Sequence, residues 1–196
     1  MSAAVSNGLQ FLINTLFTLY LFVLLVRVLL PAVRADYHNP FSQFIVKLTE
    51  PLIAPLQKIL PHTDRFDTAA VMLLLLFAWI KIWLIFGVLL NAHVFWLGSF
   101  LLAIAQLLEM LVQFYFFSIL IQAIMSWVQP NSYNPFSTIL FQLNEPLLAP
   151  ARRYIPPIAG LDLSPLAVII ILQIISIVIL RPLTLFALQL TVGLVR

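Results

Sequence analysis

Four stretches of apolar residues dominate this chain, at approximately 9–30, 68–90, 106–128 and 165–187. Each has the roughly 20 residues that one helix needs to cross the hydrocarbon core of a bilayer. Backbone N–H and C=O groups find no water at that depth, so a helix that bonds all of them internally is the natural solution. Of 196 residues, 63% are apolar and only 9% are charged, against about 25% charged in a soluble domain. Too few polar side chains remain to coat a globule, and lipid must be the solvent. The sequence predicts an all-α integral membrane protein with four transmembrane helices. The first stretch reads as an uncleaved span, because no Lys or Arg precedes Leu9 and the run outlasts the roughly 7–15 apolar residues of a signal peptide.

Between the spans the character changes. Twelve of the 13 prolines fall in 31–61 or 130–165. In the first of these connectors Phe41, Phe44, Ile45, Leu48, Leu52, Leu56 and Ile59 recur at helical spacing, with Ser42, Gln43, Lys47, Glu50, Gln57 and Lys58 in other directions. Such a segment lies along a membrane surface. Pro51 and Pro55 predict two short helices there rather than one, with Glu50 near the start of the second. Asp67 with Thr68, and Ser164 before Pro165, read as helix N-caps. Phe95 and Trp96 predict an interfacial turn or short helix over 94–105, ahead of the third span.

The chain is a duplication. A shift of 95 residues without a gap lays Asn39, Pro40, Phe41 and Ser42 on Asn134, Pro135, Phe136 and Ser137. The same shift lays Glu50, Pro51 and Leu52 on Glu145, Pro146 and Leu147, Pro55 on Pro150, and Asp67 on Asp162. Twelve of the 29 pairs from Asn39 to Asp67 are identical, and the matches include Asn, Glu, Asp and prolines rather than apolar residues alone. The expected units are 1–95, with connector 31–67, and 96–196, with connector 129–164. Two spans per unit bring the second unit in from the same side as the first, which predicts parallel repeats about an axis along the membrane normal. Both connectors then share one side. They carry Arg34, Lys47, Lys58, Arg65, Arg152 and Arg153, against Arg196 and Arg181 opposite. The positive-inside rule places the connectors in the cytoplasm and both termini outside.

Asn-Pro-Phe-Ser, then Glu-Pro-Leu-x-x-Pro, basic residues, Pro156-Pro157, Gly160-Leu161-Asp162 and Ser164-Pro165 resemble the signature of the YggT family, called YlmG in other bacteria and in plastids. The resemblance covers nearly the whole chain. Unit two matches most fully, including Ser126-Trp127. Unit one departs at His62 to Arg65 and at Ala69-Ala70, and the arginine expected in the first span of a unit is Arg27 in one copy but Gln122 in the other. The resemblance implies a small protein of the bacterial cytoplasmic membrane. The family is linked to osmotic or ion-stress tolerance, to division and nucleoid distribution, and to assembly of membrane complexes in photosynthetic lineages.

Candidate functional residues form two sets. The first is the repeated motif: Asn39, Pro40, Phe41, Glu50, Pro51, Pro55, Asn134, Pro135, Phe136, Glu145, Pro146, Pro150 and Asp162. These read as helix punctuation or as a docking surface for a protein partner, displayed twice. The second is the set of intramembrane polar residues Asn14, Arg27, Lys81, Glu109 and Arg181, each charge costing roughly 2.5–3.5 kcal/mol at the bilayer centre. Arg27 is expected to snorkel toward connector carboxylates such as Asp36 or Glu50. Lys81, Glu109 and Arg181 are expected to converge in the outer half, as a Glu109 pair with Lys81 or Arg181, serving either structure or a polar path.

Several chemistries are not expected. The chain has no Cys, which removes thiolate chemistry and disulfides. His38, His62 and His93 share no metal-ligand spacing, and no cofactor motif or catalytic constellation is present. The net charge of +3 suits an anionic leaflet rather than nucleic acid. The leading expectation is a non-enzymatic membrane factor that supports envelope organisation, complex assembly or stress response through its paired connectors. The alternative is a small ion or solute channel element built on the outer-half charges.

Overall fold

The computed structural model describes residues 3–60, 66–128, 134–155 and 162–193. Pro61 to Arg65, Pro130, Pro156 with Pro157, Gly160 with Leu161, and Arg196 lie outside the described residues.

The described residues form helices and no strand. α1 (Ala3–Ala32) crosses to the connector side, and α2 (Pro40–Gln57) is the first connector helix. α3 (Thr68–Ile82) returns and continues as the π-helical Trp83–Leu89. α4 (Trp96–Val128), the connector helix α5 (Pro135–Tyr154) and α6 (Ser164–Ile175) repeat the order. After α6 come the π-helical Ser176–Leu180 and α7 (Arg181–Val192). Four of these stretches, Ala4–Ala32, Thr68–Leu89, Trp96–Ser126 and Ser164–Val192, are long and apolar enough to cross a membrane. Large apolar side chains stay exposed along them, such as Phe11, Leu12, Leu16 and Leu19 on α1 and Ile170, Ile171 and Ile174 on α6. A surface so apolar is at rest only against lipid, and the chain is a multi-pass membrane protein.

Three local expectations are corrected. First, α2 and α5 are single helices that run through Pro51 and Pro55, and through Pro146 and Pro150. Each pair is spaced i, i+4, so both rings and the carbonyls they free lie on one exposed side. The missing hydrogen bonds fall where the surroundings can replace them, and each helix continues instead of breaking. Glu50 consequently sits mid-helix rather than at a helix start. Second, α4 is continuous from Trp96, with Val94 and Phe95 non-helical ahead of it and no separate short helix over 96–105. Leu102, Ala103 and Ala105 are buried, and the indole of Trp79 donates to Ser99 Oγ at 2.8 Å. The stretch is therefore held from inside the bundle. Third, Ser164 is not a cap: Asp162 Oδ1 accepts from Ser164 N–H at 2.9 Å. Asp67 caps α3 as expected, its side chain accepting from Ala70 N–H at 3.1 Å.

α3 packs on α1 within its unit and on α4 of the other unit, whereas α6 packs on α4 and forms no corresponding close pair with α1. The two units are joined on one side of their interface and left apart on the other.

Candidate functional site

The repeated motif does two different jobs in its two copies. Asn39 N-caps α2, its Oδ1 accepting from Phe41 N–H at 2.9 Å. Its Nδ2 reaches across the repeat to donate to the carbonyl of Pro135 at 2.7 Å. Beside that bond, Phe41 and Phe136 meet edge to face with centroids 5.6 Å apart. Asn134 stays exposed and caps α5 through a reciprocal box with Ser137. The two Asn-Pro-Phe copies thus seam the connectors together, and Pro40 and Pro135 start their helices at the first positions, where no N–H is needed. Facing outward from the seamed pair are Phe44, Leu48 and Leu52 of α2 and Phe141 of α5.

The carboxylate that begins the second span of each unit holds one arginine, drawn from a different element each time. In unit one Asp67 pairs with Arg27 of α1 at 3.1 Å, both side chains nearly closed off at 8% and 9% exposed. The connector adds a neutral donor, Gln57 Nε2 to Asp67 Oδ2 at 2.8 Å. In unit two Arg152, the counterpart of Gln57, supplies the cation to Asp162 at 3.0 Å and also meets Glu145 at 3.0 Å. Gln122, the counterpart of Arg27, turns instead to Asn144, which donates to its Oε1 at 2.7 Å and also bonds Ser118. Burial opposes ionisation of Asp162, but hydrogen bonds from Ser164 and Arg152 outweigh it and hold its pKa below the usual carboxylate value. Burial raises the hydroxyl of Tyr37, which lies in the field of the Arg27–Asp67 pair. Arg27 therefore does not reach for Asp36 or Glu50; Asp36 accepts from His38 N–H at 2.8 Å.

Between the units lies a cavity of about 810 Å³. Counterparts from both copies line it: Thr18 and Gln113, Phe22 and Phe117, Val26 and Ile121, Phe41 and Phe136. It stands where the two units face each other, with the Phe41–Phe136 pair at its connector end. Lys81 and Glu109 both line it, with Gln106 and Thr184 nearby. Lys81 is 9% exposed and donates to Thr18 Oγ1 at 3.0 Å. The expected ion pair is not formed: among the described residues no carboxylate lies within 4.0 Å of Lys81, and Glu109 joins neither Lys81 nor Arg181. Asn14 and Arg181 are exposed and line no part of the cavity. Antiparallel spans and a shared depth made convergence legible; helix rotation, which turns Asn14 and Arg181 away, was not. The described residues contain no cluster of His, Asp and Glu suited to a metal.

No solved structure matches this chain. It is 45% identical over 172 residues to a Vibrio alginolyticus protein named for the region 3′ of proC, covering 85% of this chain and 90% of that one. It is 36% identical over 170 residues to the YggT protein of Escherichia coli, covering 87% and 88%. A Pseudomonas aeruginosa protein is 36% identical over 181 residues, covering 87% of each. The family model described as CCB3/YggT matches twice, at residues 6–89 and 101–183. With two successive matches filling most of its length, the chain belongs to the CCB3/YggT family.

Proposed function

We propose that the chain is a non-enzymatic organiser in a bacterial cytoplasmic membrane. It presents α2 and α5 on the cytoplasmic face as one two-helix platform, on which membrane proteins are held during assembly of envelope complexes or under osmotic stress. The observation that carries this reading is the seam itself: Asn39 to Pro135 and Phe41 to Phe136 fix the two amphipathic helices to each other. A preorganised surface loses less freedom on binding than two separate helices. The six basic connector residues support the cytoplasmic placement.

Site-specific photocrosslinkers at Phe44 and Phe141 in native membranes test it. A discrete membrane-protein adduct is expected, and Asn39→Ala, which unties the helices but leaves their outer faces intact, is expected to remove it. An adduct that persists unchanged in correctly inserted Asn39→Ala protein would reject the platform.

A second reading, passage of a small ion or solute, draws on Lys81 and Glu109 in one cavity. The Phe41–Phe136 pair at the connector end must then part for conduction. Lys81→Met and Glu109→Gln are expected to abolish ion flux in proteoliposomes; flux equal to that of the unaltered chain in both variants would dismiss this reading.

A further inference from the structure

The cavity between the units is amphipathic along its length. On α4 it is lined from Gln106 to Ile121, about 22 Å of helix. Toward the connectors its wall is Phe22, Phe114, Phe117 and the Phe41–Phe136 pair. Its charged groups, Lys81 and Glu109, lie toward the other end with Thr18 and Gln106. The Phe22–Phe114 ring pair, with centroids 5.8 Å apart, sets the register of α1 against α4. Thr18 on α1 and Glu109 on α4 both line the cavity on the outer side of that ring pair. Glu109 and the Lys81–Thr18 bond thus share that end of the cavity.

The cavity's side is open. α6 leaves α1 uncovered, and Phe22, Phe117 and Ile121 on the lining are 46%, 57% and 40% exposed. These residues lie within spans, so the mouth faces hydrocarbon rather than water, and what enters is lipid. The head must satisfy two opposite charges. Among the described residues, buried Lys81 has a hydroxyl as its only hydrogen-bond partner, and Glu109 has no cation within 4.0 Å. Thr184 adds a buried hydroxyl without a partner among the described residues. A purely anionic head leaves Glu109 facing a like charge, and an uncharged one leaves both residues uncompensated at a costly depth.

We propose that this cavity holds one phospholipid with a phosphoethanolamine-type head. Its phosphate accepts from Lys81, its ammonium donates to Glu109, and an acyl chain runs down the aromatic slot toward the connectors. The proposal stands apart from the platform reading, since Lys81 and Glu109 take no part in the connector seam.

Native mass spectrometry of the intact chain, after equilibration with vesicles of phosphatidylethanolamine, phosphatidylglycerol or phosphatidylcholine, tests it. One retained phosphatidylethanolamine is expected, in preference to both others, because a choline head cannot donate N–H bonds to Glu109. Lys81→Gln and Glu109→Gln are each expected to cut retention about tenfold or more, the loss of one charge-assisted hydrogen bond. Glu109 is only half-buried, so its variant retains the fold if the Lys81 variant does not. Equal retention of the three lipids, retention unchanged in Glu109→Gln, or a lipid-free chain dimer would each overturn the proposal.

Discussion

Replacing Arg27 with glutamine is expected to destabilise the folded chain by about 3–5 kcal/mol, the usual cost of leaving one member of a buried ion pair alone. Asp67 is 8% exposed on its side chain and keeps, among the described residues, the neutral donors Gln57 and the N–H of Ala70. Adding Gln57→Arg to the same chain is expected to recover most of the loss. Unit two already carries that combination, glutamine at 122 and arginine at 152, with Asp162 satisfied at 3.0 Å. Equilibrium unfolding in mixed micelles reads both variants. A double variant no more stable than Arg27→Gln would show that the two units do not solve the same electrostatic problem. The reverse replacement, Asp67→Asn, keeps a capping oxygen but strands Arg27, and is expected to cost as much as Arg27→Gln.

That exchange of arginine and glutamine was present in the 95-residue alignment, at pairs 27/122 and 57/152. It became meaningful only once Asp67 and Asp162 were seen to be the shared partner. Sequence reasoning sought a connector carboxylate for Arg27, such as Asp36 or Glu50, and the helix hairpin brings up the last residue of that connector, Asp67, 40 residues away. The spans themselves were legible because length and apolarity are set by the solvent, not by packing. The connector helices were misjudged for a physical reason: proline was counted as a breaker, while its i, i+4 spacing keeps the lost donors on one exposed side. The start of α4 was misjudged because Phe95 and Trp96 mark a membrane boundary whether or not the helix is interrupted there. Neither the inter-unit seam nor the open side of the cavity leaves a trace in composition, since both depend on how helices rotate about their axes.

A methyl group at Gly98 is expected to be more harmful than one at any other described glycine in a helix. No small-xxx-small glycine motif draws the eye to it. Yet a Cβ there would lie 2.5 Å from both the carbonyl carbon of Leu190 and the backbone nitrogen of Thr191, and 2.7 Å from the Leu190 carbonyl oxygen. Backbone atoms cannot turn aside as a flexible side chain can, so α4 and α7 must separate. Separation also strains the bond from Phe95 N–H to the Thr191 carbonyl, 3.0 Å long, where α4 begins. In a bilayer no hydrophobic force draws helices back together, and close backbone approach at small residues carries much of their association. Gly98→Ala is therefore expected to cost about 1–3 kcal/mol, the range for overpacking a filled interior, with Gly98→Val costing more. Gly8 supplies the control: nothing lies within 4 Å of a Cβ at that position in α1, so Gly8→Ala is expected to be neutral or to stabilise by up to about 1 kcal/mol through helix propensity. If thermal unfolding in detergent ranks Gly98→Ala level with Gly8→Ala, the α4–α7 crossing is not tight at Gly98, and the continuity of α4 through residues 96–105 loses its physical cause.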